Sequence, residues 1–198
     1  MAATTTPADW RYGLPALVGD RVTLRELQPS DSEPMYTELN SPEVRRFMWA
    51  PPPSPTAFAQ FIDWAHEERA SGKYICYGIV PRGENDAAGV FELRQLQPGF
   101  VRGELGFVMA SRLWGRGHFA EGARLLLDFA FRVVKVHRIE ARAPIDNARG
   151  NAALQKLGAS REGRLRDAFL RDDHYIDQYL WSILDTDWWR DNPQQSDK

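Results

Sequence analysis

The sequence predicts one α/β (α+β) body, a single mixed, mostly antiparallel sheet of seven strands with helices on both faces. Three observations carry this. Residues 73–110 break into the runs "KYICYGIV", "AAGVFELRQL" and "ELGFVMA", separated by the turn-forming stretches "PRGEND" and "QPGFVRG". Residues 117–134 place Phe119, Ala123, Leu126, Leu127, Ala130, Val133 and Val134 on one helical face, and Glu121, Arg124, Asp128 and Arg132 on the other. The whole chain reads strand, two helices, three strands, helix, strand, helix, two strands.

Taken in order, residues 1–19 are small, polar or proline-bearing and read as an N-terminal arm, as residues 189–198 read as a C-terminal tail. "RVTLREL" alternates as a half-buried strand does, and Ser30 and Glu33 then have the spacing of a capping box for a helix over Asp31–Leu39. "PPPSP" cannot continue a helix, and Thr56 can cap a second one that carries Phe58, Phe61, Ile62 and Ala65 and ends near Gly72. After the three-strand meander and the long helix, "HRIEARA" is a short strand. "ARGNAALQKLG" is a short helix capped by Asn147 and ended by Gly158, and "REGRLRDAF" and "YIDQYLWSIL" supply the last two strands.

Composition narrows the function classes. With 198 residues, 43% of them hydrophobic, the chain can bury the core of one globular domain. Lys plus Arg number 25 against 27 Asp plus Glu, so no basic field points to nucleic acid or an anionic membrane. Cys76 is the single cysteine, which excludes an intramolecular disulfide, and its apolar surroundings suit a buried small hydrophobe. No secretory leader pattern opens the chain and no apolar run is long enough to span a bilayer, so a cytoplasmic location is the expectation. His66, His118, His137 and His174 lack metal-ligand spacing, and no metal is expected.

The chemistry concentrates in "SRLWGRGHFAEG", residues 111–122. A helix that starts near Gly117 offers free N–H groups and a positive dipole end, and Gly115 and Gly117 let the chain curl around an anion. The same glycines would equally serve a plain strand-to-helix turn. Neither the lysine of a P-loop nor the third glycine of a dinucleotide fingerprint is present. At these residues the chain resembles the acetyl-CoA-dependent GNAT acetyltransferases, most closely their RimJ/RimL-type N-acetyltransferase branch. That family's pyrophosphate loop reads Gln or Arg, two residues, Gly, one residue, Gly or Ala, and Arg112-Leu113-Trp114-Gly115-Arg116-Gly117 matches every specified position. "ELGFVM" before it, "HRIEARAPIDNARGNAALQKLGASREGRLRD" after it, "VTLRELQPSD" and "YLWSILDTDW" extend the likeness over residues 20–188.

The resemblance implies a GNAT fold in which the strand of Glu104–Met109 splays from its parallel neighbour, Arg138–Ala143, and the pantetheine arm of acetyl-CoA, the cosubstrate, inserts between them. Backbone groups of Phe107, Val108 and Met109 would bind that arm. Arg112, Leu113, Trp114, Gly115, Arg116 and Gly117, with His118, would hold the pyrophosphate, and Asn147 would bond the arm or simply cap its helix. A splayed pair also makes physical sense of a ligand, because it exposes unpaired backbone donors and acceptors. Acetyl transfer needs a neutral amine, so a general base is expected. Glu104 is the first candidate, with Glu92 and Glu140 as competitors that could instead be partners of arginines. The family's usual acid positions are filled by Leu154 and Gly150, which leaves direct attack with water protonating the thiolate, or an acid from elsewhere such as Tyr175. Phe47 and Trp49 fall where the acceptor pocket is often lined, core packing being their competing role. The expected acceptor is a small-molecule amine (an amino acid, amine metabolite or amine antibiotic) or a protein N-terminus, with a homodimer a further expectation. The rival is a non-catalytic acyl-CoA-binding or sensory domain, which the missing Tyr and Ser would suit.

Overall fold

The computed structural model describes residues 9–48, 51–171 and 173–192. The strands are β1 (Leu17–Val18), β2 (Val22–Glu26), β3 (Tyr74–Pro81), β4 (Gly89–Gln95), β5 (Arg102–Met109), β6 (Arg138–Pro144), β7 (Ser160–Arg171) and β8 (His174–Leu184). The helices are α1 (Ser32–Leu39), α2 (Pro42–Arg45), α3 (Pro55–Ala70), α4 (His118–Phe129), α5 (Ala148–Lys156) and α6 (Asp185–Asp191). All strands lie in one sheet, ordered β1-β2-β3-β4-β5-β6-β8-β7, and β5–β6 is its parallel pair.

The sheet has eight strands rather than seven. The extra one is β1, two residues paired through Leu17↔Leu24 and too short to show a period in the sequence. Nor are residues 9–19 an arm: Trp10 is 7% exposed and its ring meets Phe100 edge-on at 5.7 Å. At the other end, Trp189 packs on Phe131 and lies under Arg132, so the body continues past residue 188.

Alternation along the strands sends side chains to two cores. Ile75, Tyr77 and Ile79 of β3, with Phe91, Leu93, Leu105 and Ile139, pack beneath α4 and α5 against Ala123, Leu126, Leu127 and Leu154. Tyr74, Cys76, Val80 and Val90 point the other way and meet Met35 and Leu39 of α1 and Phe58 and Ile62 of α3. With both faces covered, β3 is buried along its whole length, which is why it reads as a continuous apolar run. The long amphipathic helix is as expected, except that its last turn, Ala130–Val134, widens to π geometry before Lys135 ends it in the left-handed region.

Two helix starts differ from expectation. Pro55 occupies the first position of α3, so the capping oxygen belongs to the residue before it, Ser54, which accepts from Ala57 N. Ahead of α1, a 3-10 turn at Pro29–Asp31 replaces the Ser30–Glu33 box, and the reaching-back side chain is Asp31. Asp31 is fully buried and accepts from Arg25 Nη1 (2.7 Å) and Nη2 (2.8 Å), Gln28 N (2.7 Å) and Ala87 N (2.9 Å).

Burial alone would raise the Asp31 carboxyl, but these four bonds outweigh it and hold the group below its ordinary value. Its contribution to stability is therefore full above about pH 4, the unfolded range of an aspartate, and is lost as pH falls through the lower folded midpoint. Asp31→Ala should lower unfolding free energy by about 3–5 kcal/mol, because it strands the Arg25 charge and two backbone donors. Urea denaturation near neutral pH checks the loss, which should shrink in acid.

Candidate active site

The parallel pair β5–β6 closes over four rungs, from Arg102↔Arg138 to Leu105↔Ala141, and then parts. Beyond Leu105, β5 stays bound to β4 as far as Gly89↔Met109, and β6 stays bound to β8 as far as Pro144↔Gln178. Successive residues of an extended strand turn their N–H and C=O groups to opposite sides. The Val108 carbonyl faces β4, since a Cβ on Gly89 would stand 2.5 Å from it. Phe107 and Met109 therefore turn theirs toward the gap. Trp114 Nε1 takes up the Met109 carbonyl at 3.0 Å. What the gap retains is the N–H and C=O of Phe107 and the N–H of Met109, whereas the backbone of Val108, grouped with them from the sequence, serves β4.

From Met109 the chain passes through a 3-10 turn at Ser111–Leu113 into the start of α4. Gly115 and Gly117 have φ of +72° and +85°, a region that β-carbon-bearing residues rarely enter. Gly115, Arg116 and Gly117 are exposed, and among the described residues no side chain caps the first N–H groups of α4. Beside them His118 is half-buried, and among the described residues its buried Nδ1 has no hydrogen-bond partner. Leu113 anchors the loop in the core at 4% exposure. Trp114 is sandwiched between both cores, with the Arg149 guanidinium 3.8 Å from its ring centre. Arg112 does not offer its side chain to the loop's interior: it forks onto Glu84 (2.8 and 2.7 Å) and reaches Glu38 (2.6 Å), tying the loop to α1 and the β3–β4 turn.

On the α1/α3 side of the sheet, a row of charges crosses the closed rungs. Glu104 is bound by Arg94 and by Arg142 Nη1 at 3.3 Å. Glu140 lies opposite it in register, 7% exposed, and accepts from Arg138 Nε at 2.9 Å with Arg102 Nη1 at 3.7 Å. Arg138 also binds Glu162, whose carboxyl that contact and the Ser182 hydroxyl lower to about 2. Glu92 stands one row further toward the gap, between Cys76 and Gly106 in register, and is half-buried. Burial raises its carboxyl above the ordinary value, against opposing contributions from the Tyr74 hydroxyl and Arg94, with the charge of Glu104 adding to the rise.

Asn147 caps α5 as its spacing implies, its Oδ1 accepting from Gly150 N at 2.9 Å. A Cβ on Gly150 would stand 2.6 Å from the Asn147 amide nitrogen, so this tight cap itself favours the missing side chain. Leu154 is fully buried in the core beneath α4 and α5. Tyr175 pairs with Leu170 near the end of the β7–β8 hairpin, 64% exposed and beyond the last β6–β8 rung. Register shifts in β7 bend that hairpin, and Arg171 donates to the carbonyls of Arg45 and Met48. Phe47 lies in the chain between those two carbonyls, half-buried, with the Arg46 guanidinium 5.0 Å from its ring centre. Trp49 lies outside the described residues. Sequence reading missed the Arg112 fork and the contrast between Glu92 and Glu104. The signal for the second was the alternation of β4, which places Val90, Glu92 and Arg94 on one face.

A sheet that parts beside a glycine-bent helix start offers free backbone groups to an extended, anion-bearing ligand. The residues 21–160 match the model of the Acetyltransferase (GNAT) domain, and the chain belongs to that family. It is 25% identical over 169 residues to the uncharacterized N-acetyltransferase p20 of Bacillus licheniformis, covering 85% of this chain and 95% of that one. It is 24% identical to the [ribosomal protein uS5]-alanine N-acetyltransferase of Escherichia coli, covering 68% of this chain and 70% of the relative. In fold it is similar to the microcin C7 self-immunity acetyltransferase MccE, solved with acetyl-CoA and AMP, with a TM-score of 0.75 and 19% identity over 84% of this chain and 93% of that one. No helix among the described residues is long and apolar enough to cross a membrane.

The Arg112 fork yields a structural expectation. Its partners are partly solvated, and such pairs are worth about 1 kcal/mol or less each. Arg112→Ala should therefore cost little global stability, while hydrogen exchange at residues 111–118 rises sharply as the loop loses its tether to Glu38 and Glu84. Unchanged exchange there would show that Leu113 and Trp114 hold the loop unaided.

Proposed function

We propose that the protein transfers the acetyl group of acetyl-CoA to a primary amine by direct attack, with a glutamate accepting the amine's proton. The observation that carries this reading is the continuity of the open β5 edge with the uncapped start of α4. Acetyl-CoA bound there supplies an activated acyl carbon and a thiolate leaving group. The backbone of Phe107 and the N–H of Met109 pair with the pantetheine arm and stabilise the charge that develops on the carbonyl oxygen. The N–H groups of Gly115, Arg116, Gly117 and His118 hold the pyrophosphate, and His118 Nδ1 gains a partner in the same region. Arg112, Leu113 and Trp114 act by fixing the loop, and Asn147 by fixing α5 beside the arm.

No side chain is assigned to protonate the leaving group. Leu154 and Gly150 cannot, and Tyr175 is placed at the hairpin end. A thiol with an ordinary value of about 8.5 leaves as thiolate and takes its proton from water. The acceptor amine approaches from the α1/α3 side, where Phe47 lies in the segment that Arg171 ties down through the Met48 carbonyl. A protein N-terminus heads the candidate acceptors, one relative being named for an alanine of ribosomal protein uS5; amino acids, amine metabolites and amine antibiotics follow.

Release of free thiol from acetyl-CoA, measured against a panel of these amines, tests the reading. Turnover with at least one class is expected, and tight CoA binding with no release for any of them would instead indicate a sensory domain. Gly117→Val should keep the fold but weaken CoA binding at least about tenfold, equivalent to about 1.4 kcal/mol, because valine resists a φ of +85°. Calorimetric titration with CoA reads this directly, and normal affinity would place the anion elsewhere.

A further inference from the structure

The carboxylates on the α1/α3 face fall into two kinds. Glu104, Glu140 and Glu162 are each held by arginine. Glu92 forms no ion pair among the described residues. Its Oε2 lies 3.1 Å from the point that a Cβ on Gly106 would occupy, so the absence of a side chain there leaves the carboxylate uncovered. Gly106 is the first residue of β5 beyond the last rung with β6. The row Cys76–Glu92–Gly106 therefore runs out into the gap, whereas the row Tyr74–Arg94–Glu104–Glu140 crosses closed sheet.

We propose that Glu92, not Glu104, is the general base, and that Glu104 keeps Arg94 and Arg142 in place at the foot of the gap. The assignment rests on the acetyltransferase reading above. Glu92 takes one proton from the acceptor ammonium, and the freed lone pair forms the nitrogen–carbon bond. The carbon–sulfur bond breaks with its electron pair on sulfur, the nitrogen gives up a second proton to water, and the thiolate gains one from water. Glu92 then returns its proton to solvent.

The surroundings suit a base that must be ionised yet readily protonated. The titratable and charged groups facing Glu92 are Tyr74 and Cys76 on β3, Arg94 on β4 and Glu104 on β5. Burial pushes the Tyr74 phenol and the Cys76 thiol up, so both stay neutral and neither competes for the proton. From α1 and α3 the same side receives Met35, Leu39, Phe58 and Ile62, with Tyr36 the titratable member. A carboxyl raised in this way lies closer to the operating pH, where a general base works best.

The test pairs a spectroscopic and a kinetic measurement on the full chain. Carbon-13 titration of the glutamate carboxyls in the free protein should show one midpoint above the ordinary glutamate range that vanishes in Glu92→Gln. In the same variant kcat should fall by about 10²-fold or more, with the Kd for CoA unchanged and the residual rate rising with pH as the acceptor amine loses its own proton. Glu92→Asp should recover part of the rate, which separates a missing carboxylate from a misfolded sheet, and Glu104→Gln should retain most of the turnover. Wild-type kcat in Glu92→Gln, an ordinary midpoint for Glu92, or a loss confined to Glu104→Gln would overturn the assignment while leaving the acetyltransferase reading intact. Absence of thiol release by the unaltered protein with every amine would overturn both.

Discussion

The parting of β5 from β6 after Leu105↔Ala141 is the constraint on which the rest of the structure depends. A sheet gives up backbone pairing at a cost of about 1–3 kcal/mol for each buried group left without a partner. The fold limits that cost by holding each strand firmly on its other edge, β5 against β4 and β6 against β8. Trp114 closes the Met109 carbonyl, and α4 and α5 support the sheet from beneath through Leu126, Leu127 and Leu154. The gap is thus a fixed slot between two rigid halves rather than a frayed edge, and its few remaining polar groups are aimed where an extended ligand would lie.

The closed end of that slot is pinned by charge. Arg94, Glu104 and Arg142 span β4, β5 and β6, and Arg102, Glu140, Arg138 and Glu162 continue across β8 to β7. Several of these side chains are substantially solvated, so their summed worth to stability is modest. Their effect is geometric: alternating signs on neighbouring strands favour one register, and a slip by one residue would place them in the wrong core. The Asp31 site acts similarly at the other end, joining β2, the start of α1 and the β3–β4 turn through one buried carboxylate.

Much of this was legible in the chain. The apolar stripe of α4, the all-apolar β3, the Asn147 cap and the glycine-bent loop each have a local cause, so the residues alone expose them. What was not legible came from choices made between segments. Thr56 and Ser54 are both good caps, and Pro55 decides between them only once the helix start is placed. β1 is two residues of ordinary composition, created by its partner β2. Glu92 and Glu104 are both glutamates in alternating strands; their difference lies in which row of the sheet falls beyond the last β5–β6 rung, a matter of register across three strands.

The same distinction explains why the donor half of the site can be read from a sequence and the acceptor half cannot. The donor half we propose is backbone: the open edge at Phe107 and Met109, two glycines of positive φ, and a helix start, all within residues 107–118. Such a site asks little of side chains beyond room, so a short motif describes it. The acceptor half we propose draws on side chains of β4 and β5, beside a bent hairpin held by Arg171. A carboxylate there is chosen by where the strands part and by which arginines already claim its neighbours. Closing two further rungs, as far as Phe107, would bring the Glu92 row onto closed sheet and cover the open edge of Phe107 at the same time, so one parting point sets both halves.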